Sequence, residues 1–300
     1  MENIKILNIL LEDIGLGRNN SYYRINTGFN NMVFSINEEY IVKICHNQDR
    51  ETNFINEINF YNENNYDFIP EIITYDLTKN KVPFYYIIQK KIQGSNLYTL
   101  WSSLTIEERQ RVLNDLLNFM KIIHSKKVEQ IDYKNKIVGD YLNYLSLIEN
   151  GAVLSKDKIA YLYKLKESIT KIYHPYKICL IHGDLQFNNI ILMPDGNIKI
   201  IDFEDYEVAP IEKEFDSLFR MSQYPHTFLQ RDNNNQIDRK KFLEVKDFFE
   251  KNYDEVCKNE DFANNILMFE ILNSIRWIYK YPDYERYNQI LFKKSKKLIL

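Results

Sequence analysis

Cysteine, glycine and unbalanced charge are what this chain has least of. Three cysteines, Cys45, Cys179 and Cys257, are scattered through 300 residues. No two stand at a metal-ligand spacing, which excludes a cysteine metal motif and a disulfide framework. Their scatter suits a reducing cytosol, so a cytoplasmic protein is expected. The formal net charge of −3 excludes a partner bound by neutralising nucleic-acid phosphates. No apolar run reaches membrane-spanning length. The start, Met1-Glu2-Asn3-Ile4-Lys5, has no basic region followed by an apolar one, so neither a leader nor a membrane partner is expected. Glycines number only eight. The chain holds no Gly-x-Gly-x-x-Gly and no Gly-x-x-x-x-Gly-Lys-Ser/Thr, which excludes a Walker-type phosphate loop.

What remains is ample core-forming material, 45% apolar residues in a length that suits a two-lobed enzyme. The first third reads as strands with one helix. Ser21–Ile25, Met32–Ile36 and Tyr40–Cys45 are short β-rich runs, the first two flanking a turn around Gly28. Glu51–Asn62 carries Phe54, Ile58 and Tyr61 at helical spacing. Ile72–Tyr75 and Phe84–Lys90 complete an antiparallel sheet. Gln93-Gly94-Ser95-Asn96 breaks the pattern, and helices dominate afterwards. Thr105-Ile106-Glu107-Glu108 is a capping box opening a helix whose apolar side carries Val112, Leu113, Leu116, Leu117, Met120 and Ile123. Ser155 caps a helix running towards Tyr173, and Arg239–Tyr253 and Phe262–Tyr281 are helical in period. Asn233-Asn234-Asn235 marks a loop. The expectation is an α+β chain in two lobes, residues 1–92 and 93–300, the second mainly helical.

The chemistry gathers between Asn189 and Asp202. Pro194-Asp195-Gly196 between two apolar runs is a hairpin turn. Pairing outward from Pro194–Asn197 sets Met193 against Ile198, Ile191 against Ile200, and Asn189 against Asp202. His182-Gly183-Asp184 lies just upstream. In His-x-Asp-x-x-x-x-Asn the Asp accepts or orients a hydroxyl proton and the Asn holds magnesium. Asp184 is therefore the candidate base, with Asn189 and Asp202 as oxygen ligands for Mg2+. Each alone reads as a loop, cap or strand-end residue; their joint spacing decides for the site. His182 reads as a group that holds the loop, with general base as the competing role.

Lys43 lies inside an apolar strand after a glycine-bearing turn. It is either an edge charge or a lysine for the α- and β-phosphates, paired with a helix glutamate. Glu57 is the chosen partner, with Glu51 as the alternative. The segment from Asp202 to Asp216 holds seven acids, both ends included, with Lys213 as the one base. Glu204 and Asp205 are the candidates there for holding a cationic substrate, against a solvated loop in which Asp216 caps a helix Ser217–Ser222.

These residues resemble the aminoglycoside phosphotransferase and choline kinase superfamily, which shares the two-lobed protein-kinase-like fold. The resemblance runs from about Gly28 to about Asp216. His182-Gly183-Asp184-Leu185-Gln186-Phe187-Asn188-Asn189 is similar to the family's catalytic loop, and Ile200-Ile201-Asp202-Phe203 to its magnesium strand end. The turn at Gly28 resembles its nucleotide loop, Lys43 and Glu57 its phosphate lysine and helix glutamate, and Ile88, Lys90 and Ile92 its purine-holding hinge. The resemblance implies transfer of the γ-phosphate of ATP or GTP to a small-molecule hydroxyl. Within the family the layout resembles the 2″-acting group most. The acidic run suits an aminoglycoside acceptor; choline, ethanolamine, a sugar, homoserine or a macrolide is the alternative, and a non-catalytic binding protein the third reading. A protein kinase is disfavoured: Ala209-Pro210-Ile211-Glu212 begins seven residues after Asp202, which leaves no room for an activation loop.

Overall fold

The structure is a computed structural model that describes residues 2–12, 14–17, 20–25, 31–129, 131–229, 237–283 and 285–296. Gly28 with its turn, and the Asn233-Asn234-Asn235 loop, lie outside the described residues. In chain order the elements begin with α1 (Glu2–Glu12), β1 (Tyr22–Ile25), β2 (Met32–Ile36), β3 (Tyr40–Cys45) and α2 (Glu51–Glu63). Next come β4 (Ile72–Asp76), β5 (Tyr85–Lys90), β6 (Ser95–Asn96), α3 (Leu97–Leu100) and α4 (Ile106–His124). Then follow α5 (Tyr133–Asn150), α6 (Lys156–Ile172), β7 (Ile178–Ile181), β8 (Ile190–Leu192), β9 (Ile198–Ile200) and β10 (Glu207–Pro210). The last are α7 (Ile211–Gln223), α8 (Arg239–Asn252), α9 (Asp254–Cys257), α10 (Phe262–Lys280) and α11 (Glu285–Ser295). Among the described residues no helix is long and apolar enough to cross a membrane.

The chain divides into two compact units, each built from separated stretches. The first takes Met1–Phe119, His182–Tyr206 and Gln223–Phe242; the second takes the rest. The first unit contains an antiparallel sheet ordered β1-β2-β3-β5-β4. Alternation along β3 decides its faces. Val42 and Ile44 join Phe34, Ile36 and Ile88 in a buried cluster with Leu7, Leu10 and Leu11 of α1. Burying each such leucine contributes about 1.5–3 kcal/mol. Lys43, between Val42 and Ile44, points to the other face, where α2 lies. On α2, Phe54, Glu57, Ile58 and Tyr61 are buried at i, i+3, i+4 and i+7. A carboxylate inside that stripe requires a partner.

α1 is an addition to the one helix expected here. A second difference concerns the hairpin. β8 and β9 pair Ile190 with Ile200, Ile191 with Lys199 and Leu192 with Ile198, one residue away from the expected register. Gly196 is the cause. It takes φ +86°, its N–H bonds Met193 O at 2.9 Å, and Met193 N–H bonds Asn197 O at 2.9 Å. That is a three-residue loop closed by a left-handed glycine, in place of a symmetric turn over Pro194–Asn197. Asn189 O consequently takes the Ile201 N–H at 3.0 Å, and Asp202 falls one position beyond the ladder.

At the head of α4 the capping box forms: Thr105 N–H bonds Glu108 Oε2 at 2.8 Å and Glu108 N–H bonds Thr105 Oγ1 at 3.2 Å. Thr105→Ala should lower unfolding stability by ~1 kcal/mol, read from the urea midpoint at unchanged slope; an unchanged midpoint would count against the box. Ser155 stands at the N-cap of α6 without a side-chain capping bond.

In the second unit β7 pairs antiparallel with β10, and helices supply the rest of the core. Phe215 of α7 meets Phe219, Phe249, Tyr253 and Phe262. α7 begins at Ile211, directly after Pro210 ends β10, so Asp216 is a buried mid-helix residue and not the cap of a helix at Ser217. The apolar recurrence Ile211, Phe215, Leu218 and Phe219 carries the helix through it.

Candidate active site

Three of the expected residues, Lys43, Glu57 and Asp202, meet in the first unit, together with Glu204, expected for another purpose. Lys43 Nζ lies 2.6 Å from Glu57 Oε2, 2.9 Å from Asp202 Oδ1 and 2.7 Å from Glu204 Oε1. Glu57 also accepts the Tyr61 hydroxyl at 3.0 Å. Glu51 pairs with Lys79 instead, at 2.6 Å. Burial works against the Lys43 charge, but Asp202, Glu57 and Glu204 raise its ammonium well above the ordinary value. Burial pushes the Glu57 carboxyl up from its ordinary range, against the pull of Lys43. Burial pushes the Asp202 carboxyl up, but Lys43, with Arg50 among the other neighbouring groups, outweighs it and holds Asp202 below its ordinary value.

Asp202 adopts a left-handed backbone, φ 68° and ψ 61°. Its carboxylate remains 45% exposed, against 3% for Glu57 and 5% for Glu204. The 3-10 turn Phe203–Asp205 follows at once. Phe203 is buried and stacks on Phe60 of α2 at 3.9 Å between ring centres, with His182 at 4.5 Å on another side.

The loop His182–Asn189 is organised by local hydrogen bonds. His182 Nε2 lies 3.1 Å from Ile201 O, and its Nδ1 accepts the Asp184 N–H at 3.3 Å; an Nε2–H tautomer satisfies both. Gln186 Nε2 donates to Asp184 Oδ2 at 3.0 Å. Asn189 Nδ2 donates to Asp184 O at 2.9 Å and to Asp184 Oδ2 at 3.2 Å. Gly183 has φ +83°, and a Cβ there would meet Asp205 O at 2.0 Å. Only glycine permits this approach of the loop to the strand end.

The remaining expected residues are placed as follows. Ile88 is buried in β5 opposite Val42. Lys90 N–H goes to Glu71 O at 2.9 Å, and its ammonium to Glu71 Oε2 at 2.8 Å. Ile92 is half-buried in the following loop. Glu204 is buried, with Lys43 and Asn31 on Oε1 and Arg50 on Oε2. Asp205, 47% exposed, meets Arg50 at 3.2 Å and Asn53 at 2.9 Å. Four other acids of the run belong to the second unit and serve internal partners there. Glu207 bridges Lys136 and Lys213. Glu212 accepts from Tyr176 N and Asn265, Glu214 lies 3.6 Å from His124, and Asp216 meets Asn273 and Arg220.

Arg50 and Asn53 have no place in the sequence reading, and Asn31 enters it only at the end of the Gly28 turn. Arg50, Asn53 and Glu57 are i, i+3 and i+7, one helical face, so the signal was there beside the glutamate. Asn31 meets Glu204 across 173 residues, and no local pattern announces that.

A lysine–glutamate pair under one sheet, with a His-Gly-Asp loop and a carboxylate-ended hairpin in the same unit, is the arrangement of kinase-like phosphotransferases. The chain belongs to the phosphotransferase enzyme family APH, whose profile matches residues 17–239. Among curated proteins it is similar to the RIO-type serine/threonine-protein kinase Rio2 of Methanocaldococcus jannaschii, 35% identical over 109 residues. That match spans 34% of this chain and only 36% of the Rio2 length. Among solved structures it is similar to the ADP-bound aminoglycoside phosphotransferase APH(2'')-Ib, with TM-score 0.69 and 20% identity over 98% of this chain and 96% of that one. The streptomycin–ATP ternary complex of APH(2'')-IIa gives TM-score 0.66 and 20% identity over 98% and 95%. The GDP complex of aminoglycoside 2'-phosphotransferase-IIIa gives 0.66 and 15% over 98% of each chain. At these identities the likeness establishes the fold, α+β with an antiparallel N-terminal sheet and a helical C-terminal part.

Proposed function

We propose that this phosphotransferase moves the γ-phosphate of ATP or GTP to a hydroxyl of an aminoglycoside antibiotic in the cytoplasm, and so confers resistance. The observation that carries the transfer is the meeting of Lys43, Glu57 and Asp202 in the unit that also holds Asp184 and Asn189. In this reading Lys43 binds the α- and β-phosphates and Glu57 holds Lys43. The purine lies against the segment that holds Ile88, Lys90 and Ile92, and Gly28 is a phosphate contact. Asp184 takes the proton of the attacking hydroxyl as that oxygen bonds to phosphorus and the bond to the leaving nucleoside diphosphate breaks. Gln186 and Asn189 hold the Asp184 carboxylate in place.

Asn189 and Asp202 would hold Mg2+. Both offer hard oxygen donors, the Asp202 carboxylate is the open one of the cluster, and the Asn189 amide nitrogen already serves Asp184, which leaves its oxygen as the ligand atom. The bound ion supplies charge neutralisation for the phosphates. A non-catalytic binder would need none of the Asp184 geometry.

The acceptor rests on family membership and on fold likeness to aminoglycoside phosphotransferases, the 2″-acting group included. The acidic run adds little, since most of it has internal partners. That observation favours keeping a second reading, a kinase of choline, ethanolamine, a sugar, homoserine or a macrolide. Incubating the protein with ATP or GTP and each acceptor, and weighing the product, separates the two. A phosphorylated kanamycin or gentamicin supports the first; turnover of choline with no turnover on a broad aminoglycoside panel overturns it.

A further inference from the structure

Glu204 has no task in the transfer described above, yet it is among the most tightly engaged side chains of the first unit. Its side chain is 5% exposed. Oε1 takes Lys43 Nζ at 2.7 Å and the Asn31 amide, and Oε2 takes Arg50 at 3.3 Å. Its carbonyl accepts Asn53 Nδ2 at 3.2 Å. The four partners come from the head of β2, from β3, from the turn before α2, and from α2 itself. An acceptor amine would have to displace Arg50 or Lys43 to reach this carboxylate. A divalent cation would have to enter where an ammonium, a guanidinium and an amide N–H group already face it.

Lys43 needs such a neighbour. A lysine ammonium is a point charge on a flexible four-carbon stem; of its other carboxylate partners Asp202 is the half-exposed one assigned to the ion, which leaves Glu57 as a single buried contact. Glu57 from α2 and Glu204 from the strand end hold it from two elements. Arg50 and Asn31 hold Glu204 in turn.

We infer that Glu204 is a positioning residue for phosphoryl transfer that acts through Lys43, and is neither a metal ligand nor an acceptor contact. The inference rests on the nucleotide site proposed above. It extends the lysine–glutamate pair to a lysine between two buried carboxylates, Glu57 and Glu204, beside the more open Asp202, with Arg50 as the outer brace.

A double-mutant cycle tests it. Glu204→Gln should lower kcat ~10-fold, the scale of a misplaced binding group. Acceptor KM and the Mg2+ concentration for half-maximal rate should both stay within about twofold, since neither is touched. In a Lys43→Ala background the same substitution should cost nothing further, or restore activity, because it removes one of three carboxylates left without their cation. Glu204→Asp keeps the charge and should give a smaller loss that also vanishes without Lys43, which covers the case of a poorly folding Gln variant. Melting temperatures of all variants separate folding losses from kinetic ones. The cycle is also read in ADP affinity by calorimetry, so it does not depend on finding the acceptor. Equal losses in both backgrounds overturn the inference, as does a shift of the Mg2+ or acceptor dependence. A wild-type protein that binds nucleotide but gives an additive cycle overturns this inference alone. One that binds neither ADP nor GDP overturns the nucleotide site with it.

Discussion

Asp184→Asn should lower kcat by ~10²-fold or more while leaving nucleotide affinity near wild type, because only the proton-accepting function is lost. The substitution keeps the side-chain shape. Its amide oxygen can still accept from Gln186 and Asn189, which lie 3.0 and 3.2 Å from Asp184 Oδ2. The melting temperature should therefore hold, and the loss should sit in kcat. Single-turnover rates with saturating nucleotide check this directly. A kcat within threefold of wild type would remove Asp184 as the base and turn attention to His182, the competing group in the loop. The contacts of His182 with Ile201 O and Asp184 N–H speak for a holding role.

Gly183→Ala should be comparably damaging by a different route. A methyl group at this position meets Asp205 O at 2.0 Å, and the backbone stands at φ +83°. A left-handed alanine costs of order 1–3 kcal/mol before any overlap is counted. The overlap is with backbone, which cannot rotate away, so the loop carrying Asp184 must move relative to the strand end carrying Asp202. A displacement of about 1 Å is enough for ~10²-fold in rate. Both a fall of several degrees in melting temperature and a loss of kcat are expected. An alanine variant of wild-type activity would mean that the loop and the strand end are not held in register as described.

The two variants separate what the sequence makes readable from what it does not. β2 and β3 stand where their β-rich runs place them, because alternation and flanking turns are local properties. The choice of Glu57 as the partner of Lys43 was not decided by the apolar stripe, to which Glu51 lies closer; the structure pairs Glu57 with Lys43 and Glu51 with Lys79. The hairpin was readable in kind but not in register. Pro-Asp-Gly accommodates more than one loop length, and the left-handed Gly196 decides between them. Asp202 was placed opposite Asn189 on that account, whereas its own left-handed backbone turns it to Lys43. α1 carries leucines at i, i+3 and i+4, a stripe too short to declare a helix by itself. Glu204 and Asp216 were read from local acidity. Their surroundings are set by contacts made far along the chain, Asn31 with Glu204 and Asn273 with Asp216.

Lys43 and Asp202 are 159 residues apart in sequence, and this fixes an order of events during synthesis. The sheet strands and α2 leave the ribosome early, so Lys43 can find Glu57 at once, 14 residues away. Asp202 and Glu204 emerge roughly 10–30 s later at ordinary elongation rates. Until then the buried face of α2 has no Phe203 to stack on Phe60, and Arg50 has no carboxylates to brace. Between the two, α2 presents a face whose partners have not yet been made, and chaperone dependence should concentrate in that interval.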